Sequence, residues 1–150
     1  MKKCLLIITM SLAGCIGFAQ TAKSTAEKWE TLVDDGDVTI SYNTNITTNS
    51  RGNHFVWVRT QYHTSDWQYY FANQIGSQTP VFTTRTKAEY QPDYKYTRVR
   101  QVICYSKAGK KLYDTGDDTS AGWGPVNASD PVGIVGEYLW DKSEKERANY

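Results

Sequence analysis

The feature that most constrains this chain is a series of short segments rich in β-branched and aromatic residues, each bounded by turn chemistry. Val38-Thr39-Ile40-Ser41-Tyr42 alternates apolar and polar residues, as a strand buried on one face must, and Asp34-Asp35-Gly36-Asp37 before it is a turn. Asn43 to Asn53 is polar and closes on Ser50-Arg51-Gly52-Asn53; strand character then resumes from His54 to Tyr62 around Phe55-Val56-Trp57-Val58. Val81 to Tyr90 and Tyr94 to Ser106 form two longer strands, separated by Gln91-Pro92-Asp93, where proline denies the ladder a donor. Ala108-Gly109-Lys110 makes a tight hairpin to Lys111-Leu112-Tyr113.

Two segments break this pattern with helical spacing. Ser65-Asp66 is placed to cap a short helix in which Trp67, Tyr70, Phe71 and Ile75 share a face, with Gly76 as its stop. Ser129 or Asp130 offers an N-cap to a clearer terminal helix, Pro131 suits its first turn, and Val132, Val135 and Leu139 recur on one side. Beyond Asp141 the residues are those of a solvated end. Five or six antiparallel strands with the C-terminal helix packed on one face make an α+β domain.

The N-terminus predicts export. Met1-Lys2-Lys3 is a positive n-region, Leu5 to Leu12 a short apolar run, and Gly17-Phe18-Ala19 a small-x-small step before Gln20. That run is too short to serve as a membrane span in the mature protein. Leu12-Ala13-Gly14-Cys15 also fits a lipobox, in which Cys15 would be acylated; the apolar Ile16-Gly17-Phe18 that follows favours ordinary cleavage. The expected organisation is a signal peptide over 1–19, a flexible spacer over 20–28 and one domain over 29–150. The mature product then belongs to the periplasm, the cell surface or the exterior.

Loss of Lys2 and Lys3 takes the 17 basic and 16 acidic residues to 15 and 16. A near-neutral domain argues against a nucleic-acid partner, which needs a basic stripe. Cys104 would be the one mature thiol, and its apolar neighbours Val102, Ile103 and Tyr105 mark it as a small buried hydrophobe.

Catalytic signatures are weak. His54 and His63 lack zinc-ligand spacing. The acidic runs at 34–37 and 114–118 lack the ligand positions of an EF-hand and read as solvated turns. Neither a Gly-x-Ser-x-Gly elbow nor a local Cys/His signature is present, so no catalytic residue is assigned and no cofactor or metal is expected. A glycosidase needs only two suitably separated carboxylates, for which Asp66, Glu89, Asp93 and Glu137 are candidates. Aromatic residues carry more information: they make up 13% of the chain, more than so small a core needs, and 11 are tyrosines. Tyr69, Tyr70, Tyr90, Tyr94 and Tyr96 are the candidate binding residues, with cross-strand pairing as the structural alternative.

Three stretches together resemble the surface-adhesin protein E family. They are Val56-Trp57-Val58-Arg59, the run from Tyr94 through Arg98 to Tyr105 and Gly109, and Trp123-Gly124-Pro125-Val126-Asn127-Ala128-Ser129 opening the terminal helix. The resemblance spans most of residues 29–140. It implies an antiparallel sheet crossed by a C-terminal helix, exported to the envelope. This chain departs from the pattern at the family's two cysteines, where it has Tyr94 and the Tyr138 to Trp140 region, and an aromatic contact is the expected stand-in. Asn127 and Ala128 replace a Pro-Gly, and Ser65 to Gln78 reads as an insertion.

The first expectation is therefore a non-catalytic, adhesin-like binding module for a protein or cell-surface ligand. A small secreted hydrolase or carbohydrate-active enzyme is the alternative, which needs a concave pocket with convergent titratable groups. A component that self-associates into homo-oligomers through an edge strand is a third reading.

Overall fold

The computed structural model describes residues 26–150; the expected signal peptide and Cys15 lie outside the described residues. Six strands follow one another across a single antiparallel sheet, in the order β1 (Trp29–Asp34), β2 (Val38–Asn43), β4 (His54–Tyr62), β5 (Thr83–Tyr90), β6 (Tyr96–Tyr105) and β7 (Lys111–Asp114). Two-residue strands β3 (Thr47–Thr48) and β8 (Gly124–Pro125) add to β4 and β6. Helix α1 (Ser65–Gln74) fills the connection from β4 to β5, and α2 (Pro131–Ala148) ends the chain.

Register explains why both helices lie on the same side. In β4, Val56, Val58, Thr60 and Tyr62 are buried, while the intervening Phe55, Trp57, Arg59 and Gln61 are half-buried on the opposite face. Cross-strand pairing extends the inner row to Tyr42 and Ile40 on β2 and to Ala88, Thr86 and Thr84 on β5. One core cluster joins Ile40, Tyr42, Val56, Val58, Ala88 and Tyr90 to Val132, Val135 and Leu139 of α2. A second joins Tyr62, Val81 and Cys104 to Ala72 of α1.

The terminal helix follows from its sequence. Asp130 caps it, its carboxylate accepting from the Gly133 N–H at 2.8 Å, with Pro131 in the first turn. Val132, Val135 and Leu139 are the buried face, as their spacing predicts. Two glycines set how closely it lies. A Cβ on Gly133 would stand 1.5 Å from the Asn127 carbonyl oxygen, and one on Gly136 would meet the Tyr90 ring at 2.8 Å. Tyr90 is wholly buried beneath it and donates to the Val132 carbonyl at 2.6 Å. Glu30 ties the first strand to the last helix, accepting from Tyr138 at 2.5 Å and Tyr42 at 2.7 Å.

Local expectations change in three places. α1 begins at Ser65 behind Thr64, with no side-chain cap, so Ser65 and Asp66 lie inside the first turn. Its inward side is Phe71, Ala72 and Ile75, and Trp67 and Tyr70 of the expected face are left exposed. Finally, β1 is a strand that apolar alternation does not announce, since a bulge between Thr31 and Val33 breaks its period.

Candidate functional site

The two helices leave part of the inner sheet face uncovered. α2 packs over β2, β4 and β5, and α1 stands at the Tyr62 end of β4. Between them runs an open cleft of about 670 Å³. Its floor includes Ile40, Thr60, Thr84 and Thr86, continuing across β6 to Val99, Val102 and Cys104. Trp67, Phe71 and Ile75 line it from α1, Pro131, Val132 and Ile134 from the start of α2, and Tyr113 from β7.

Composition opens this space. Thr60 and Thr84 pair directly across β4 and β5, and Thr86 faces Val58, so the middle of the floor carries short side chains where larger apolar ones would close the gap. Trp67 is 43%, Val99 41% and Tyr113 42% exposed, and all three line the cleft, while Tyr69, Tyr70, Tyr96 and Trp123 are exposed outside it. Three such groups around one concavity offer an apolar surface to a ligand.

The carboxylates, the thiol and the Tyr62 hydroxyl around the cleft are already engaged or muted. Asp130 caps α2, and Asp35 accepts from the Asp37 and Val38 N–H groups, both at 3.0 Å. Burial raises the Cys104 thiol above its ordinary value, which keeps it protonated and a poor nucleophile. Burial likewise pushes the Tyr62 hydroxyl up to about 12, and this hydroxyl shares a hydrogen bond with Thr84 at 3.2 Å. The cleft thus offers an apolar body with a few hydroxyls, the composition of a ligand site.

The chain matches no family model, no curated protein and no solved structure. The site therefore has to be read from its own geometry.

The five candidate tyrosines are not brought onto one face. Tyr69 and Tyr70 are exposed on α1, and Tyr96 is exposed at the start of β6, the far end of the sheet from α1. Tyr90 is core, for the packing reason given above. Tyr94 is half-buried, stacked on His54 at 4.9 Å and tilted against Tyr90 at 5.5 Å. Tyr138 is occupied with Tyr42 at 5.8 Å, so the two positions of the expected aromatic stand-in each have other aromatic partners.

The candidate carboxylates are likewise apart. Asp66 sits in the first turn of α1, Asp93 in the β5–β6 turn and Glu137 on the exposed side of α2. Glu89 is 1% exposed on the sheet's other face. There it accepts from Arg98 at 2.7 Å, Arg100 at 2.8 Å and Asn53 at 2.8 Å. Burial alone would raise its pKa, but these donors outweigh burial and hold it at about 2, which makes it an ion-pair centre and no proton donor. Asp117, expected in a solvated turn, extends the network by bridging Lys87 and Arg100, both at 2.9 Å. The histidines are separately employed, His63 with Thr39 and His54 with Thr48. Among the described residues no group of three metal-ligating side chains converges.

Proposed function

We propose that this chain is an exported, non-catalytic binding module of the cell envelope or its exterior, adhesin-like in class, which seats the apolar body of a surface component in the cleft between α1 and α2. The observation that carries this reading is the convergence of Trp67, Val99 and Tyr113, all left wet, on one cleft of small-molecule size. Three further points support it. The lining carboxylates are committed to backbone donors, which favours binding over hydrolysis. The N-terminal residues have the order of an export signal. The resemblance of residues 29–140 to the surface-adhesin protein E family points to the same compartment. No helix among the described residues is long and apolar enough to cross a membrane, and the ligand would be met from solution or from a surface.

A fluorescent apolar dye, anilinonaphthalene sulfonate, tests the cleft. Saturable binding is expected, and Val99→Trp should weaken it by about tenfold or more by filling the space with an indole. Val99 is already 41% exposed, so the larger side chain has room and the melting temperature should hold. Dye binding that is absent, or unchanged in V99W, would contradict the proposal.

A further inference from the structure

The opposite face of the sheet carries no helix, and aromatic and cationic side chains are prominent on its β4 and β5. Phe55, Trp57, Arg59 and Gln61 project there from β4. Across from the last three stand Lys87, Arg85 and Thr83 of β5. The cations divide into two groups. Lys87, Arg98 and Arg100 are each ion-paired with Glu89 or Asp117, and the segment after β7 folds back over them, with Arg98 bonded to the Thr119 carbonyl and stacked on Trp123.

Arg59 and Arg85 are different. They are direct cross-strand neighbours, an arrangement that ordinarily destabilises a sheet. Arg85 has one partner, Glu27, at 3.2 Å on the exposed rim. Arg59 has no carboxylate partner among the described residues, and its buried Nε atom makes no hydrogen bond. What holds its guanidinium is the Trp29 ring at 4.4 Å, which Arg85 also approaches at 5.4 Å. Two guanidinium groups are thus fixed side by side on an indole with less than their share of negative charge. That is a fork suited to a carboxylate.

The backbone narrows what can lie here. β4 is paired on both edges, to β2 and β5, and β5 to β4 and β6, so no peptide strand can add by main-chain hydrogen bonds. A ligand on this face is held by side chains alone. Directly beside the pair stand Ser41 of β2 and Ile103 of β6, and diagonal to it lie the planar Trp57 and Tyr105, with Gln61 and Thr83 supplying an amide and a hydroxyl. Flat aromatic surface, hydroxyl-pairing groups and a charge fork fit a sugar ring bearing a carboxylate.

We infer that this face is a second binding site, for an acidic saccharide whose carboxylate is taken by Arg59 and Arg85 and whose ring lies against the neighbouring aromatic side chains. Trp29 and Glu27 let the fold carry the two arginines adjacent, and a bound carboxylate would relieve the repulsion that remains.

Titration with an oligogalacturonate, followed by tryptophan fluorescence, tests this directly. The expected result is saturable binding that weakens with salt, is absent for a neutral oligoglucan, and falls by about tenfold or more in Arg59→Gln. Arg59→Gln should melt close to the parent, since relief of the like-charge contact offsets loss of the Trp29 contact; Arg85→Gln should lose binding as well. Absence of saturable binding, retention of full affinity in both variants, or equal affinity for an oligoglutamate of the same charge would overturn the inference.

Discussion

Glu89 shows most clearly how a single residue's setting decides its role. Its carboxylate is buried among Arg98, Arg100 and Asn53, with a folded pKa of about 2 against an ordinary 4.5. Because the folded value is depressed, the stabilisation is fully present above about pH 4.5 and is lost as pH falls toward about 2. Glu89→Gln leaves Arg98 and the buried Arg100 facing a neutral group, though Arg100 keeps Asp117, and should cost about 1–3 kcal/mol at neutral pH. Urea unfolding of both proteins at several pH values checks this: the parent should lose stability on acidification through that window, and the gap between the two should narrow. Parallel curves would contradict the assignment. The sequence names Glu89 as one acid among several and cannot show its partners, which lie 9, 11 and 36 positions away. Cys104 and Asp130 are legible by contrast, because burial of a thiol in an apolar run and capping of the next turn are local matters.

At the scale of elements, α2 is held as much by what it lacks as by its apolar stripe. Gly133 and Gly136 let it settle onto Asn127 and Tyr90 at distances no Cβ permits. Alanine is the better helix former by about 1 kcal/mol, so propensity predicts that Gly133→Ala stabilises the protein. Packing predicts the reverse. The obstacle at Gly133 is backbone, which cannot swing aside, and overpacking of this kind costs about 1–3 kcal/mol or more. Gly133→Ala should therefore lower the melting temperature, while alanine at exposed Glu137 should leave it nearly unchanged. A rise in G133A would show that α2 sits less tightly than described. Elements with clean periodicity, such as β2, β4 and α2, are readable in the sequence. β1 is not, because its bulge shifts the pattern midway, and the orientation of α1 is not, because aromatic residues occur on both of its sides.

The whole molecule is a sheet with two unlike faces, one covered by helices and one without a helix. Register fixes this division, since each outward residue of β4 carries its partners on β2 and β5 to the same side. The antiparallel α+β architecture with a terminal helix was therefore legible from alternation and capping alone. The cleft was not. It arises from the separation of α1 and α2 and from threonines at mid-floor, and no local window of sequence reports how far apart two helices stand. The aromatic surplus pointed to a binding surface, but the wet residues that converge are Trp67 and Tyr113 beside Val99, while the five candidate tyrosines are dispersed.

The proposed ligand site is this cleft, and not the core beneath it. Methyl-resolved NMR of the mature protein titrated with anilinonaphthalene sulfonate tests it most directly. Saturable shifts are expected at Thr60, Thr86, Val99, Val102 and Ile134 alone, with Val56 and Val135 of the closed core unmoved. Shifts spread evenly over the surface, or a core that responds as strongly as the cleft, would contradict it.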